Sequence, residues 1–342
     1  MPTGDPKISV VMPVFNCESW LPQALESIGT QSFPGFELIV VDDGSTDRSC
    51  RIVEDAARSD SRIRLERQAR LGISAALNRA VALARSPIIA RMDGDDVAAP
   101  NRLQMQMDFL GSHPDVAAAG SWARVIGHRN EVIGELKPDT LPSRLREILP
   151  KQNPFVHSSM AIRGDILRSL GGYRQALDGA EDYDLWLRIS ERAELANLPE
   201  FLLSYRSVRP QSNEAAIRKQ LLAARLARLS AKARRDHQTD FVDTLPVPLD
   251  LATLGQRDDL RATAELYRLL ARPVADPVPV GDFGILAGTE LNHAERKTAQ
   301  FWLRDVLQSQ RTFAARSMAL YWLLKLHPAR GLTLIGSALR AK

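Results

Sequence analysis

The chain has 342 residues, of which 44% are hydrophobic and 25% charged, and its net charge at pH 7 is +4. This length allows one large domain with an extension, or two domains. The basic residues are spread over many predicted helices rather than gathered with aromatic side chains, which argues against a nucleic-acid partner. Only Cys17 and Cys50 are present, so the sequence holds no disulfide framework.

The two ends of the sequence favour a cytoplasmic protein. Residues 1–7 lead directly into an apolar strand, so we expect no secretory signal. The longest apolar run near the C-terminus, Met318 to Leu324, has seven residues. A helix that spans a membrane needs about 20 such residues, so we expect none here.

Strands and helices alternate from residue 8 to about residue 126. Apolar runs predict the strands, and apolar residues at helical spacing predict the helices between them. The predicted strands are Ile8–Val14, Leu38–Val41, Ile63–Glu66, Ile88–Met92 and Val116–Ile126. The predicted helices are one through Trp20 to Ile28, one capped by Ser45 or Thr46, Gly72–Ala84, and one that Pro100 starts. Such alternation predicts a parallel, doubly wound sheet.

The pattern changes after about residue 115. His157–Ile162 and Phe201–Arg206 are predicted strands, and Glu181–Glu191 is a predicted helix. From about Ala215 the sequence is helical and rich in Ala, Leu and Arg, with Pro-rich breaks at 245–249 and 273–279. We place a boundary near residue 210, which gives a domain of residues 1–210 and a helical extension of residues 211–342.

Two predicted strands each end in a cluster of aspartates. Leu38–Val41 leads into Asp42 and Asp43, and Ile88–Met92 leads into a second cluster that begins at Asp93. Ligands of open α/β folds bind at the carboxyl ends of the strands. Acids that converge there repel each other unless a cation or a hydrogen-bonding ligand is shared. The clusters therefore indicate a metal-dependent nucleotide site.

The pair Asp93 and Asp95 suits Mg²⁺ or Mn²⁺, which keep positions open for substrate phosphates. The alternative is a turn that caps the next helix, and Asp96 is interpreted as such a cap. Asp42 and Asp43 have the same alternative, because D-D-G-S-T-D is a good turn sequence. The segment that ends the first strand, P-V-F-N, lacks a glycine-rich phosphate loop, which favours neutralisation of phosphates by a cation.

Asp182 opens the predicted helix E-D-Y-D-L-W-L. It shares a helix face with Leu185, Trp186 and Ile189, so burial would raise its pKa and make it a better base, against the effect of the helix N-terminus. Glu181 and Asp184 fit the simpler role of first-turn acids. His157, in a predicted strand, fits a structural residue and stays a minor candidate for the acceptor side.

Taken in order, six segments resemble the family 2 glycosyltransferases, an inverting family with the GT-A fold. They are I-S-V-V-M-P-V-F-N, E-L-I-V-V-D-D-G-S-T-D, G-I-S-A-A-L-N-R-A, I-I-A-R-M-D-G-D-D, H-S-S-M and A-E-D-Y-D-L-W-L-R, over about residues 7 to 206. The resemblance implies a mostly parallel, nucleotide-binding central sheet flanked by helices. It also implies a nucleoside-diphosphate sugar donor, a divalent metal, and transfer to an acceptor hydroxyl with inversion. The metal would be Mn²⁺ or Mg²⁺.

The resemblance implies roles for residues on the donor side. Asp42 corresponds to the acid that contacts the nucleobase, with Pro13 and Asn16 near the same pocket. Asp93 corresponds to the acid that meets the ribose or the metal. Asp95 corresponds to the acid that coordinates the metal on the diphosphate.

On the acceptor side, Asp182 corresponds to the catalytic base. His157, Glu181 and Trp186 are weaker candidates for contacts with the acceptor or the diphosphate. The chain departs from the family at two positions. Arg70 stands where many members have an asparagine, and we expect it at the donor. Tyr205-Arg206-Ser207-Val208 lacks the histidine of a Tyr-Arg-x-His pattern, so Arg206 or Arg209 is expected to substitute for it by charge.

Two other functions share part of this pattern. A sugar-phosphate nucleotidyltransferase would share the sheet and the metal acids, but it would show a glycine-rich basic loop after the first strand. A catalytically dead sugar-nucleotide-binding protein would lack an intact Asp95 or Asp182. The function we expect is polysaccharide or glycolipid synthesis of the bacterial type, on a glycan or a lipid-linked acceptor.

A predicted helix near the C-terminus has a broad apolar side with positive charge nearby. The apolar side is formed by Phe313, Ala314, Ser317, Met318, Leu320, Tyr321 and Leu324, and the basic residues are Arg316, Lys325, Arg330, Arg340 and Lys342. Such a stretch can lie in a membrane interface, and the alternative is a helix packed on the catalytic domain. Because many related enzymes act on lipid-linked acceptors, the resemblance favours peripheral binding at the cytoplasmic membrane face.

Overall fold

The structure is a computed structural model, in which residues 5–207, 214–271, 285–288, 290–309 and 313–326 are described. The chain forms two compact units. The first unit contains Met1–Ser212 and Leu226–Asp243, and the second contains Asn213–Arg225 and Thr244–Lys342. Among the described residues, no helix has both the length and the apolar character that a membrane span requires.

The described strands join into one mixed sheet. They are β1 (Ile8–Val14), β2 (Phe36–Asp42), β3 (Ile63–Arg67), β4 (Ile88–Arg91), β5 (Val97–Ala98), β6 (Val116–Ile126), β7 (Val132–Leu136), β8 (Ala161–Arg163) and β9 (Glu194–Arg206). Their order is β3-β2-β1-β4-β8-β6-β9-β5, with β7 beside β6. The first four are parallel, whereas β8 is antiparallel to both β4 and β6. The predicted parallel sheet is therefore confirmed for β1 to β4 and gives way to mixed pairing beyond them.

Helices cover the sheet and form most of the second unit. They are α1 (Leu21–Gly29), α2 (Ser49–Ser59), α3 (Ile73–Leu83), α4 (Arg102–Ser112), α5 (Pro142–Ile148), α6 (Gly164–Ser169), α7 (Glu181–Ser190), α8 (Glu214–Arg235), α9 (Leu251–Gly255), α10 (Arg261–Ala271), α11 (Ile285–Gly288), α12 (His293–Ser309) and α13 (Phe313–Leu326). Short 3₁₀ turns lie at His157–Ser159, Gln175–Leu177 and Val242–Thr244.

The core of the first unit surrounds its central strands. Every residue of β2 is buried, as is every residue of β4. Strands covered on both faces need continuous apolar runs, which is the pattern that the sequence shows there. Because the apolar residues keep these strands in place, the polar residues that follow them are held at one edge of the sheet.

The helix after β2 begins later than the sequence predicts. Ser45 and Thr46 do not cap it, because both are bound to Asn16: the Ser45 hydroxyl accepts the N–H of Asn16 over 3.0 Å, and the N–H of Thr46 donates to Asn16 Oδ1 over 2.8 Å. Helix α2 begins at Ser49 instead. The N–H of Ser49 donates to Asp47 Oδ1 over 2.9 Å. The residues between Asp42 and α2 are thus free to form a turn at the sheet edge.

The predicted strand His157–Ile162 is wrong in its first half. Residues His157–Ser159 form a 3₁₀ turn, and the strand is limited to Ala161–Arg163. The reason is local, since the N–H and the hydroxyl of Ser159 both donate to the carbonyl of Val156. Side chains of this kind offer the backbone an alternative to the strand ladder.

Candidate active site

A cleft opens at the carboxyl ends of β1 and β4. It is lined by Pro13, Val14, Phe15, Cys17, Asp43, Arg70, Ile73, Ala76, Asp93, Gly94 and Asp95. Since β1, β2 and β4 are parallel neighbours, their carboxyl ends meet at the edge where open α/β sheets bind ligands. The cleft therefore brings together four of the predicted site residues, which are Pro13, Arg70, Asp93 and Asp95.

Three carboxylates meet on the turn that follows β4. One oxygen from each of Asp93, Asp95 and Asp96 lies within 4.8 Å of the others. Asp96 is buried, and its Oδ2 has no hydrogen-bond partner among the described residues. Carboxylate oxygens suit Mg²⁺ and Mn²⁺, so both the donor set and the unpaired oxygen fit a divalent metal. Asp96, interpreted from the sequence as a helix cap, is one of these three acids.

The crowding of these acids changes their protonation. Burial, together with the Asp93 carboxylate, raises the pKa of Asp95 to about 6. Burial and the two neighbouring carboxylates also raise the pKa of Asp96 above its usual range. A cation close to the three acids would relieve this repulsion, because an opposite charge favours the ionised form.

Arg206 supports this turn from the end of β9. Its backbone N–H donates to Asp96 Oδ1, and its Nε donates to the backbone oxygen of Asp95, both over 2.7 Å. Its two Nη atoms donate to Gly127 O, Gln23 Oε1 and Asn130 Oδ1. These bonds use four of the five guanidinium N–H groups, and the residue is buried.

The sequence predicts that Arg206 or Arg209 replaces the charge of a missing histidine. Arg206 is committed to the support of the turn, where its contacts are with protein groups. Arg209 lies outside the described residues. The expected substitution by charge therefore stays a prediction that the described contacts of Arg206 do not favour.

The two acids after β2 have different surroundings. Asp43 lines the cleft, and its oxygens accept three hydrogen bonds from the loop before α3, from Gln68 Nε2, Leu71 N and Gly72 N. Asp42, the predicted contact of the base, is buried and is not part of the cleft wall. Its Oδ1 has no hydrogen-bond partner among the described residues. The Asp43 carboxylate thus holds the loop before α3, whereas Asp42 Oδ1 is available to accept a hydrogen bond from a ligand.

Asn16 and Arg70 have different roles near Phe15. Asn16 has φ +47° and joins the ends of β1 and β2, since its N–H donates to Ser45 Oγ over 3.0 Å. The Arg70 guanidinium lies 3.0 Å from the centre of the Phe15 ring, and more than half of its side chain is exposed. Arg70 is therefore a cation on the cleft wall that a phosphate could reach.

Asp182 is the second residue of α7 and is half-buried. Its Oδ2 accepts Asn153 Nδ2 over 2.7 Å, and its Oδ1 accepts the N–H of Tyr183 over 2.6 Å. Burial raises the pKa of the Asp182 carboxyl, while these bonds and the charge of Arg91 oppose the rise. A carboxylate with a raised pKa is a stronger base at neutral pH.

The weaker acceptor-side candidates form a buried group on and beside α7. The His157 ring lies edge-on to Trp186 with centroids 5.8 Å apart, and its Nε2 is 3.0 Å from Tyr173 Oη. Burial lowers the pKa of His157 well below its usual value and raises that of Glu181. A neutral, buried histidine bonded to tyrosine fits a structural residue.

Sequence reasoning missed three residues of this region, which are Arg91, Asp96 and Asn153. Arg91 gave a signal, because a charged residue stands inside the apolar run of a buried strand. Asp96 is the fifth residue of M-D-G-D-D, so its place in the acidic cluster was readable. Asn153 gave none, since its contact with Asp182 joins residues 29 positions apart through an irregular loop.

Comparison with known proteins places the chain among glycosyltransferases. Residues 9–171 match the family described as "Glycosyl transferase family 2". The chain is 37% identical over 207 residues to EpsE of Bacillus subtilis (strain 168), which is named as a glycosyltransferase; the match covers 59% of this chain and 73% of EpsE. It is 32% identical over 214 residues to the O-antigen biosynthesis glycosyltransferase WbnJ of Escherichia coli, covering 61% of this chain and 83% of WbnJ.

A solved structure shares the fold. The mannosyltransferase PcManGT from Pyrobaculum calidifontis, in complex with GDP-Man and Mn²⁺, superposes with a TM-score of 0.51 and 22% identity. The superposition covers 97% of this chain and 88% of PcManGT. At this identity the likeness concerns the fold, which is of the GT-A type expected from the six segments.

Proposed function

The chain belongs to glycosyl transferase family 2, and we propose that it transfers a sugar from a nucleoside-diphosphate sugar to an acceptor hydroxyl with inversion at the anomeric carbon. The observation that carries this proposal is the cleft in which Asp93 and Asp95 meet Arg70 at the carboxyl ends of parallel strands. A diphosphate needs positive charge, and this cleft offers one exposed cation and a carboxylate set suited to another.

The donor would lie along the edge of the sheet. Asp42 offers its unpaired Oδ1 to the base, at the end of β2. Pro13 lines the cleft, and Asn16 keeps the ends of β1 and β2 together. Arg70 would meet a phosphate from the cleft wall, where its guanidinium lies against Phe15 and its Nε is 3.9 Å from Asp43 Oδ2.

A divalent metal would be held by Asp95 and Asp93, with Asp96 as a third candidate ligand. When bound, Mn²⁺ or Mg²⁺ supplies a Lewis acid for the leaving nucleoside diphosphate. Arg206 keeps the backbone of this turn in place through the carbonyl of Asp95 and the carboxylate of Asp96. Arg206 thus positions the candidate metal ligands and need not touch the donor itself.

Asp182 would act as the general base. It removes the proton of the acceptor hydroxyl as that oxygen attacks the anomeric carbon, so a single displacement inverts the centre. Asn153 orients the carboxylate through Oδ2. The accessible part of the half-buried Asp182 side chain is where an acceptor hydroxyl would approach.

We infer a role in polysaccharide or glycolipid synthesis at the cytoplasmic side of the membrane. WbnJ is named for O-antigen biosynthesis, and the amylovoran biosynthesis glycosyltransferase AmsE of Erwinia amylovora also matches this chain. The acceptor would then be a growing glycan, free or linked to a lipid.

A panel of nucleoside-diphosphate sugars tests this function. The purified full-length protein is incubated with each donor and Mn²⁺, and the released nucleotide is identified. Release of a nucleoside diphosphate from one donor, abolished by EDTA, is the expected result. Release of pyrophosphate from a nucleoside triphosphate and a sugar phosphate would instead identify a nucleotidyltransferase. Donor binding without turnover of any donor, with acceptor glycans present, would identify a catalytically dead binding protein.

A further inference from the structure

Arg91 is a buried cation beside the acids that follow β4. It ends β4 with only 3% of its side chain exposed, and its Nη1 forms an ion pair with Asp93 Oδ2. Its backbone N–H donates to Met160 O over 2.8 Å, and its backbone oxygen accepts Arg102 Nη2 over 2.6 Å. Its position in the sheet is therefore fixed by the backbone, independently of its guanidinium.

The guanidinium is only partly satisfied by its neighbours. Its Nε is buried and has no hydrogen-bond partner among the described residues. Buried arginine side chains that serve packing alone are expected to pair all their N–H groups, because an unpaired buried donor is costly. The unpaired Nε of Arg91 thus indicates a role for this side chain beyond the support of the fold.

Arg102, a second buried arginine in contact with Arg91, does not share this position. Its Nε donates to Gln106 Oε1, and its Nη2 donates to the backbone oxygen of Arg91.

We propose that Arg91 is a positioning residue of the transfer reaction. Its ion pair fixes Oδ2 of Asp93 and leaves Oδ1 for a ligand in the cleft. This inference rests on the proposed function, because it assigns Asp93 to the donor side.

Fixing Asp93 requires the planar guanidinium, which a lysine cannot reproduce. Replacement of Arg91 by Lys keeps the charge and changes the geometry, whereas replacement by Met removes both.

The test compares the wild type, Arg91→Lys and Arg91→Met. Affinity for Mn²⁺ with UDP or GDP is measured by calorimetry, and kcat and KM are measured with the active donor. Both variants should lose affinity by roughly 10- to 100-fold, the usual effect of removing the partner of a metal ligand. Arg91→Lys should lose it because an ammonium group does not hold Asp93 Oδ2 in the geometry of the planar guanidinium.

Arg163→Met is the matched control, because the Arg163 guanidinium binds the backbone carbonyls of Val116, Leu110 and His113 and not the acids. It should keep the wild-type affinity. Wild-type affinity in either Arg91 variant would overturn the proposal. If Arg91→Met does not fold, Arg91→Lys decides, since it must lose affinity. A wild type without turnover would count against the proposed function, whereas the affinity comparison would still decide whether Arg91 fixes Asp93.

Discussion

At the scale of single residues, the acids of the cleft differ in what their oxygens do. Both oxygens of Asp43 accept hydrogen bonds from the loop before α3. Asp42 and Asp96 each keep one buried oxygen without a partner among the described residues. A buried carboxylate oxygen that no protein group satisfies is costly. Asp42 and Asp96 are therefore better candidates for ligand contacts than Asp43, although Asp43 lines the cleft.

Asp95→Ala should abolish metal-dependent donor turnover and leave the fold intact. The carboxylate of Asp95 belongs to the three-acid set, and neighbouring acids oppose its ionisation, so its removal relieves repulsion in the folded protein. Turnover with Mn²⁺ and the urea midpoint are measured together. Asp115→Ala, which changes an exposed acid, is the control and should retain full activity. Activity of Asp95→Ala that persists in EDTA would contradict the metal site.

Asp182→Asn should keep donor affinity and lose transfer by roughly 10² to 10⁴, the usual range for a general base. In the wild type the active form is the carboxylate, and its pKa is raised by burial. Transfer should therefore fall as the pH falls through this raised pKa, and the remaining activity of Asp182→Asn should lack that acid limb. Rates from pH 5 to pH 9 and donor affinity at pH 7.5 measure both effects. A loss of donor affinity equal to the loss of transfer would assign Asp182 to the donor side.

At the scale of elements, α7 is held by a buried charge network. The Arg174 guanidinium pairs with Asp184, which is fully buried on α7, and with Asp240 Oδ2 over 2.8 Å. Ser230 Oγ donates to Asp240 Oδ1 over 2.8 Å, and Arg188 also pairs with Asp184. Ser230 near the end of α8 and Asp240 after it therefore help to fix α7, the helix that contains Asp182. This agrees with their place in the first unit, beyond the expected boundary near residue 210.

Arg174→Met should lower the free energy of unfolding by about 3–5 kcal/mol, because it leaves buried Asp184 without one of its two cations. Urea denaturation measures this loss. Arg58→Met is the control, since the Arg58–Asp55 pair is exposed and should contribute less than about 1 kcal/mol. Equal stability of the two variants would show that the network does not hold α7.

The sequence predicts the helices and strands whose structure depends mainly on their own local residue pattern. The buried strands β1, β2 and β4 are mostly apolar, so the pattern places them to within two residues and also places the acids that follow them. His157 shows the limit, because a serine two residues later closes a turn that strand propensity does not anticipate. Arg206 shows another, since a strand-end arginine gives no sign that it will bind a carbonyl 111 residues earlier. Contacts between distant irregular segments are what the pattern leaves out.

At the scale of the whole molecule, α13 bears on the predicted membrane contact. Ala319, Trp322 and Leu323 are buried within the second unit, and they are not residues of the predicted apolar side. Tyr321, which belongs to that side, is about half exposed. The side chains of Phe313, Ala314, Ser317, Leu320 and Leu324 and all of Arg330, Arg340 and Lys342 lie outside the described residues. The peripheral contact stays a prediction.

The full-length protein should bind weakly to vesicles that contain anionic lipid, and salt should release it. Basic residues attract such lipids over a distance that salt shortens. Co-sedimentation at low and high salt measures this, and deletion of residues 313–342 should remove it. Vesicles of neutral lipid are the control. No sedimentation at low salt, or binding that survives the deletion, would contradict the prediction.

The contacts of Arg206 also set when the site can exist during biosynthesis. The backbone N–H of Arg206 meets Asp96, 110 residues earlier in the chain. Ribosomes add about 5–20 residues per second, so roughly 5 to 20 seconds separate the synthesis of the acids from that of their support. During this interval β1 to β4 are complete, and Asp93, Asp95 and Asp96 stand on a turn that lacks its brace. The four parallel strands β1 to β4 are thus synthesised early, whereas the acids that follow β4 gain their support from β9 late.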